Sequence, residues 1–189
     1  MKKRNISITA AVLCLFCMLG ACLITSCGKD ADGANASHVT SLTASAKEIA
    51  ETVRSGADLK GAAFIASDEV DADLTLMFSY GIDTDEQLAV LEDYVLSTLT
   101  GNEYPYYFAV IRCKEGTDRA MVEAIAETVR SAYPQSVIAQ MGQYNGAWSS
   151  VAEGFTVQTY DNGLIAVAYD TEGNEAILKL VDEACESNG

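Results

Sequence analysis

The sequence predicts an α+β fold, a small and mainly antiparallel sheet packed against helices. Three observations carry that expectation. Phe155–Tyr160 alternates in the strand period and Leu164–Tyr169 returns across Asn162-Gly163, a two-residue type I′ turn signal, so the pair reads as a β-hairpin. Tyr106-Tyr107-Phe108-Ala109-Val110-Ile111 is an almost continuous apolar and aromatic run, the pattern of a central strand covered on both faces. Residues 118–132 and 174–185 instead space their apolar side chains at helical intervals.

Ahead of that body the chain reads as a secretory signal. Met1-Lys2-Lys3-Arg4 is cationic, an apolar stretch runs from Ile6 to Ile24, and small residues lead to Cys27. Leu23-Ile24-Thr25-Ser26-Cys27 resembles the lipobox of bacterial lipoproteins, with an aliphatic residue three before the cysteine and small residues next to it. That resemblance implies that the Cys27 thiol takes a diacylglycerol, that residues 1–26 are removed as a signal peptide, and that the protein is lipid-anchored on the extracytoplasmic face of the cell membrane. Leu19-Gly20-Ala21-Cys22 fits the same pattern, so Cys22 is the alternative lipidation site. Cys27 is preferred because cutting there uses the whole apolar run and leaves a polar start. An uncleaved span is the other reading, since about 20 apolar residues cross a bilayer. Residues 27–40 then form an acidic tether: Gly28–Ser37 has no aliphatic or aromatic side chain larger than alanine, and so cannot order itself by burial.

A single α+β domain is expected over residues 41–189. Ser45-Ala46-Lys47-Glu48 has capping-box spacing, and Ile49 and Val53 follow at helical intervals, which predicts a helix over 42–56 ending near Gly56. In residues 57–82 the apolar run Leu74–Phe78 is compatible with helix or strand, and the segment is read as a short helix ending at Tyr80-Gly81. Gln87–Thr98 combines helical spacing with β-favouring residues and stays open between helix and strand. Thr117 is read as the cap of a helix whose stripe is Met121, Val122, Ile125, Val129 and Ala132, and which Pro134 ends. The last helix, from Asn174 to Cys185, turns Ile177, Leu178, Val181 and Ala184 inward. About 150 residues bury roughly two-thirds of their unfolded surface, enough for one core.

Charge and residue inventory exclude several chemistries. The chain has 12 Lys and Arg against 27 Asp and Glu, a net charge of −15. Losing residues 1–26 removes three cations and no anion, and takes the body to −18. Such a surface repels phosphate, so nucleic acid is not an expected partner. The only histidine, His38, lies in the tether, which leaves no imidazole for a hydrolytic triad or a Cys/His pair. No phosphate-binding or dinucleotide fingerprint occurs. Cys113 and Cys185 are the only body cysteines; they read as two half-buried thiols, with a bridge possible only if folding brings them together. Two separated cysteines cannot complete a zinc site. Asp68, Glu69, Asp71 and Asp73, or Asp83, Asp85 and Glu86, offer oxygen donors to a hard cation, but neither group has EF-hand spacing and both read as solvated faces. No metal and no cofactor is expected.

Met141–Ser150 holds the one tryptophan between two glycines. Trp148, Tyr144 and Asn145 on a loop suit stacking and amide hydrogen bonding to a sugar or peptide; the alternative is that the rings pack over the sheet. The order of lipobox, acidic tether, helix, Tyr80-Gly81-Ile82-Asp83, the run ending Ala109-Val110-Ile111, the helix from Asp118 and the Asn162-Gly163 hairpin resembles the small lipoproteins of Gram-positive gut bacteria, grouped as the domain of unknown function numbered four-three-five-eight. The resemblance spans roughly residues 45–187. It implies location and fold and brings no activity or catalytic residues. The functional expectation is therefore a non-catalytic binding or scaffolding module of the cell envelope, bound to the membrane through its lipid and to an envelope protein, peptide or glycan. The alternative is a small envelope hydrolase using carboxylates, the chemistry left by the absence of histidine.

Overall fold

The computed structural model describes residues 42–57, 59, 63–98, 107–141, 147–170 and 173–186. The signal, Cys22, Cys27, the tether and His38 lie outside these residues. Among the described residues no helix is long and apolar enough to cross a membrane.

Helix α1 (Ala46–Gly56) starts four residues later than its periodicity predicts, because Ser45 caps it. The Ser45 hydroxyl accepts from Glu48 N, and the Glu48 carboxylate accepts from Ser45 N at 2.7 Å, so both halves of the capping box are made. Strand β1 (Ala63–Ala66) follows, then α2 (Ala72–Tyr80) and the one-turn α3 (Asp85–Ala89). The ambiguous segment divides. Thr84 accepts from Gln87 N and caps α3, while Leu91–Thr98 becomes β2. Strand β3 (Tyr107–Cys113), α4 (Arg119–Met141), α5 (Ala147–Gly154), β4 (Thr156–Thr159), β5 (Leu164–Tyr169) and α6 (Asn174–Glu186) complete the order.

The five strands form one sheet in the order β1-β2-β3-β5-β4, antiparallel throughout. From β3 the chain crosses through α4 and α5 to the far edge, runs along β4, and returns as β5 beside β3. As its continuous apolar run predicts, β3 is central and buried on both faces. Tyr107, Ala109 and Ile111 join the core under α2 and α4, while Phe108 and Val110 join the core under α1 and α6. The sheet thus lies between two helical layers.

Three local expectations are corrected. Asp118, not Thr117, caps α4: its carboxylate accepts from Ala120 N at 2.9 Å, while the Thr117 hydroxyl donates back to Lys114 O. Pro134 lies inside α4 rather than ending it. An interior proline costs about 3 kcal/mol, yet Val137 beyond it is fully buried and contributes roughly 1.5–3 kcal/mol, and the buried Tyr133 ring lies 4.2 Å from Tyr107 and 5.0 Å from Phe155, about 0.5–1.5 kcal/mol per pair. Packing wins. The hairpin loop is three residues, Asp161-Asn162-Gly163, rather than a two-residue type I′ turn. Gly163 N donates to Tyr160 O, Tyr160 N donates to Leu164 O, and only Gly163 has positive φ (77°), the signature of a type I turn followed by a left-handed bulge residue.

Candidate functional site

The chain between β1 and β2 builds an open apolar groove with an acidic rim. It begins at a tight turn, where the Glu69 carboxylate accepts from Ala66 N at 2.9 Å and Asp71 adopts a left-handed conformation (φ 68°). Helix α2 then buries Ala72, Leu76, Ser79 and Tyr80. Its sequence is apolar on more sides than the core covers. Leu74 and Phe78, one turn apart, are 48% and 67% exposed, and Val70 just before the helix is 86% exposed. Gly81 stops α2 in a left-handed conformation (φ 74°), its N–H donating to Met77 O, and Ile82 turns back into the core. The side-chain amide of Gln87 donates to Thr128 at 2.9 Å and fixes α3 against α4.

A β-bulge completes the wall. Leu91 pairs with Cys113 but Asp93 pairs with Arg112, so Glu92 is the extra residue and projects to solvent. The groove of about 370 Å³ has Ile82, Leu91 and Tyr94 as its buried floor and Leu74, Met77 and Leu88 as its lips. Its acidic residues are Asp73, Asp83 and Glu92. The Tyr94 hydroxyl donates to the Asp73 carboxylate at 2.5 Å. Burial first, and that carboxylate second, push the phenol far above its usual range, so Tyr94 remains a neutral donor.

The same bulge turns Asp93 to the opposite face, where it meets Arg112. Their ion pair is 2.9 Å long, Arg112 also donates to Leu42 O at 3.1 Å, and Ala46 N donates to Asp93 at 3.3 Å. This cluster holds the start of α1 on the sheet, which is a structural task. A second cleft, of about 390 Å³, lies between α1 and β1. Its charges are already paired: Lys47 with Asp68 at 2.8 Å and Arg54 with Glu51 at 3.8 Å, the Arg54 guanidinium also lying 5.6 Å over the Phe64 ring.

Of the residues singled out from sequence, Trp148 falls in α5, so the expected recognition loop is helical from Ala147 onward. Tyr144 and Asn145, like Cys22 and Cys27, lie outside the described residues. The first acidic cluster is dispersed among separate partners, Asp68 on Lys47, Glu69 on Ala66 N and Asp73 on Tyr94. Among the described residues no three His, Cys, Asp or Glu side chains group as metal ligands do. Cys113 and Cys185 are both free and belong to the cores on opposite faces of the sheet. Burial pushes the Cys113 thiol up to about 11, so it is a poor nucleophile at neutral pH. The groove residues Leu74, Met77, Leu88 and Leu91 were not anticipated. For Leu74 and Met77 the signal is in α2, whose apolar residues follow no single stripe; Leu88 and Leu91, in α3 and β2, carry no such local signal.

Fold and site together define a class: an α+β body whose antiparallel sheet lies between two helical layers, with an acid-rimmed apolar groove beside one of them. No protein-family model, no curated protein and no solved structure matches the chain.

Proposed function

We propose that this chain is a lipid-anchored extracytoplasmic lipoprotein, a non-catalytic binding or scaffolding module of the cell envelope whose partner sits in the groove between α2, α3 and β2. The anchor rests on the cationic start, the apolar run and the Leu23–Cys27 order, and the resemblance to the Gram-positive lipoprotein family belongs to the same reading. One observation carries the binding function: Leu74 and Leu88, both exposed, are the lips of a single groove, and Phe78 extends the same helix face by one turn. Single exposed apolar residues are ordinary, whereas contiguous ones beside a concave surface mark contact sites.

Two measurements test the reading. Cys27→Ala in the expressed full chain should abolish lipid labelling while Cys22→Ala remains labelled; the reverse result moves the anchor to Cys22, and labelling of neither parent nor variants removes it. The purified full chain, incubated with cell-wall fragments, glycans and peptides, should retain one class without altering it. Turnover that disappears in Asp73→Asn, Asp83→Asn or Glu92→Gln would replace the binding module with the carboxylate hydrolase.

A further inference from the structure

We infer that the groove's partner is a cationic amphipathic peptide segment, one that lays an apolar face between Leu74 and Leu88 and sets Lys or Arg against the acidic rim. The inference rests on the groove being a binding site and adds the chemistry of its occupant.

Charge is segregated along this chain. From Gly61 to Ile111 the chain has no Lys or Arg and ten Asp or Glu. Two of those acids are paired with cations from outside the stretch, Asp68 with Lys47 and Asp93 with Arg112. Glu69 is committed to its own turn. Asp73, Asp83 and Glu92 line the groove, with Asp71 next to α2 and Asp85 and Glu86 in the first turn of α3. Helix dipoles account for Asp73, Asp85 and Glu86 at N-terminal turns. Asp83, one residue ahead of the Thr84 cap, shares that setting in part, but Glu92, which a bulge turns outward, lies at no helix N-terminus. Every charged side chain in the groove lining is acidic, while the neighbouring Lys114 lies outside that lining with its ammonium donating to Ala89 O at 2.7 Å. An anionic lipid surface, an acidic peptide or a second copy of this strongly acidic chain would each bring like charge to that rim and be repelled. A glycan brings no cation to the rim and no long apolar face to the floor; within the groove lining the one aromatic ring, Tyr94, is 5% exposed with its hydroxyl held by Asp73, and the open ring of Phe78 lies outside that lining. Apolar anchors at helical spacing flanked by basic residues satisfy both floor and rim, as in helix-in-groove recognition.

The test uses the full chain in neutral phosphatidylcholine nanodiscs and a fluorescent Leu/Lys amphipathic helix of about 18 residues, five turns. Saturable binding is expected, weakening at least tenfold as ionic strength rises from about 0.01 M to 1 M and the screening length contracts from about 30 to 3 Å. A peptide with its Leu replaced by Ser, equal in charge, should bind at least tenfold more weakly, and a Leu/Glu peptide should not bind. Leu74→Ser with Leu88→Ser, and separately Asp83→Asn with Glu92→Gln, should each weaken the Leu/Lys peptide at least tenfold while melting as the parent does; Glu183→Gln on α6 should change nothing. Equal loss in Glu183→Gln, or no loss in the groove variants, overturns the inference. Preference for the Leu/Glu peptide, for anionic vesicles or for self-association overturns it and leaves the groove a binding site. Turnover of a wall fragment with no peptide binding removes the binding reading itself.

Discussion

Among the described glycines, Gly81 meets two demands at once. It ends α2 with φ +74° and at the same time touches α4, where a Cβ added to it would lie 2.4 Å from the Ala132 Cβ. Gly81→Ala therefore combines left-handed strain, about 1–2 kcal/mol, with a collision between two helices. A loss of roughly 2–4 kcal/mol in urea unfolding is expected. Adding Ala132→Gly should return the collision part and leave the strain, so full additivity in the double variant would refute the contact. Arg112 makes a second residue-scale case. Arg112→Ala leaves the half-buried Asp93 carboxylate without its cation and frees Leu42 O, which should cost about 2–3 kcal/mol, below the 3–5 of a deeply buried pair. Amide exchange would register it first at residues 42–46, and unchanged exchange there would show that the pair does not hold α1.

At the scale of elements, α1 depends on a reciprocal cap that is solvent-exposed, and this makes its contribution easy to isolate. Ser45→Ala removes the acceptor for Glu48 N and should destabilise the chain by about 1 kcal/mol without altering its groove. An unchanged urea midpoint would mean that packing against α6 and the sheet fixes the helix without the cap. Helix α4 contributes in another way, by closing an edge of the sheet. The Arg130 guanidinium donates to Val157 O at 3.2 Å, so an outward carbonyl of edge strand β4 is occupied. At the other edge Glu69 and its turn occupy Ala66. Both edge strands are four residues long, which further limits pairing with another chain.

For the whole molecule, burial of neutral acids predicts instability in alkali. The Cys113 thiol has its usual value of 9.0 when unfolded and about 11 when folded, and burial also pushes the Tyr80 and Tyr133 phenols well above 10.0. Between pH 9 and 11 the unfolded chain releases the thiol proton first, so it binds fewer protons than the folded chain. Stability is then complete below about pH 9 and falls as pH rises, by at most about 1.4 kcal/mol per pH unit from this group. Urea midpoints at intervals from pH 8 to 11 should show the decline, and Cys113→Ala should flatten it; an identical slope in that variant would assign the loss to the buried tyrosines and the Cys185 thiol, which burial also pushes up.

Much of this architecture was legible beforehand, because some signals are local. Ser45 and Glu48, the apolar run of β3, Gly81 after Tyr80 and the inward stripe of α6 each specify backbone geometry or burial within a few residues, and the α+β class follows from their order. Other features depend on partners distant in sequence. Residues 91–98 could satisfy a helix as well as a strand until β1 and β3 supplied hydrogen bonds on both sides. Pro134 reads as a stop until Tyr133 and Val137 are seen buried under the sheet. The Glu92 bulge has no local signature, yet it places Asp93 on one face and the groove wall on the other. Composition and short-range spacing thus determined the class, the charge and most element types. Only the tertiary structure decided strand pairing, helix length and the groove, because those are fixed by which residues from remote segments lose their water together.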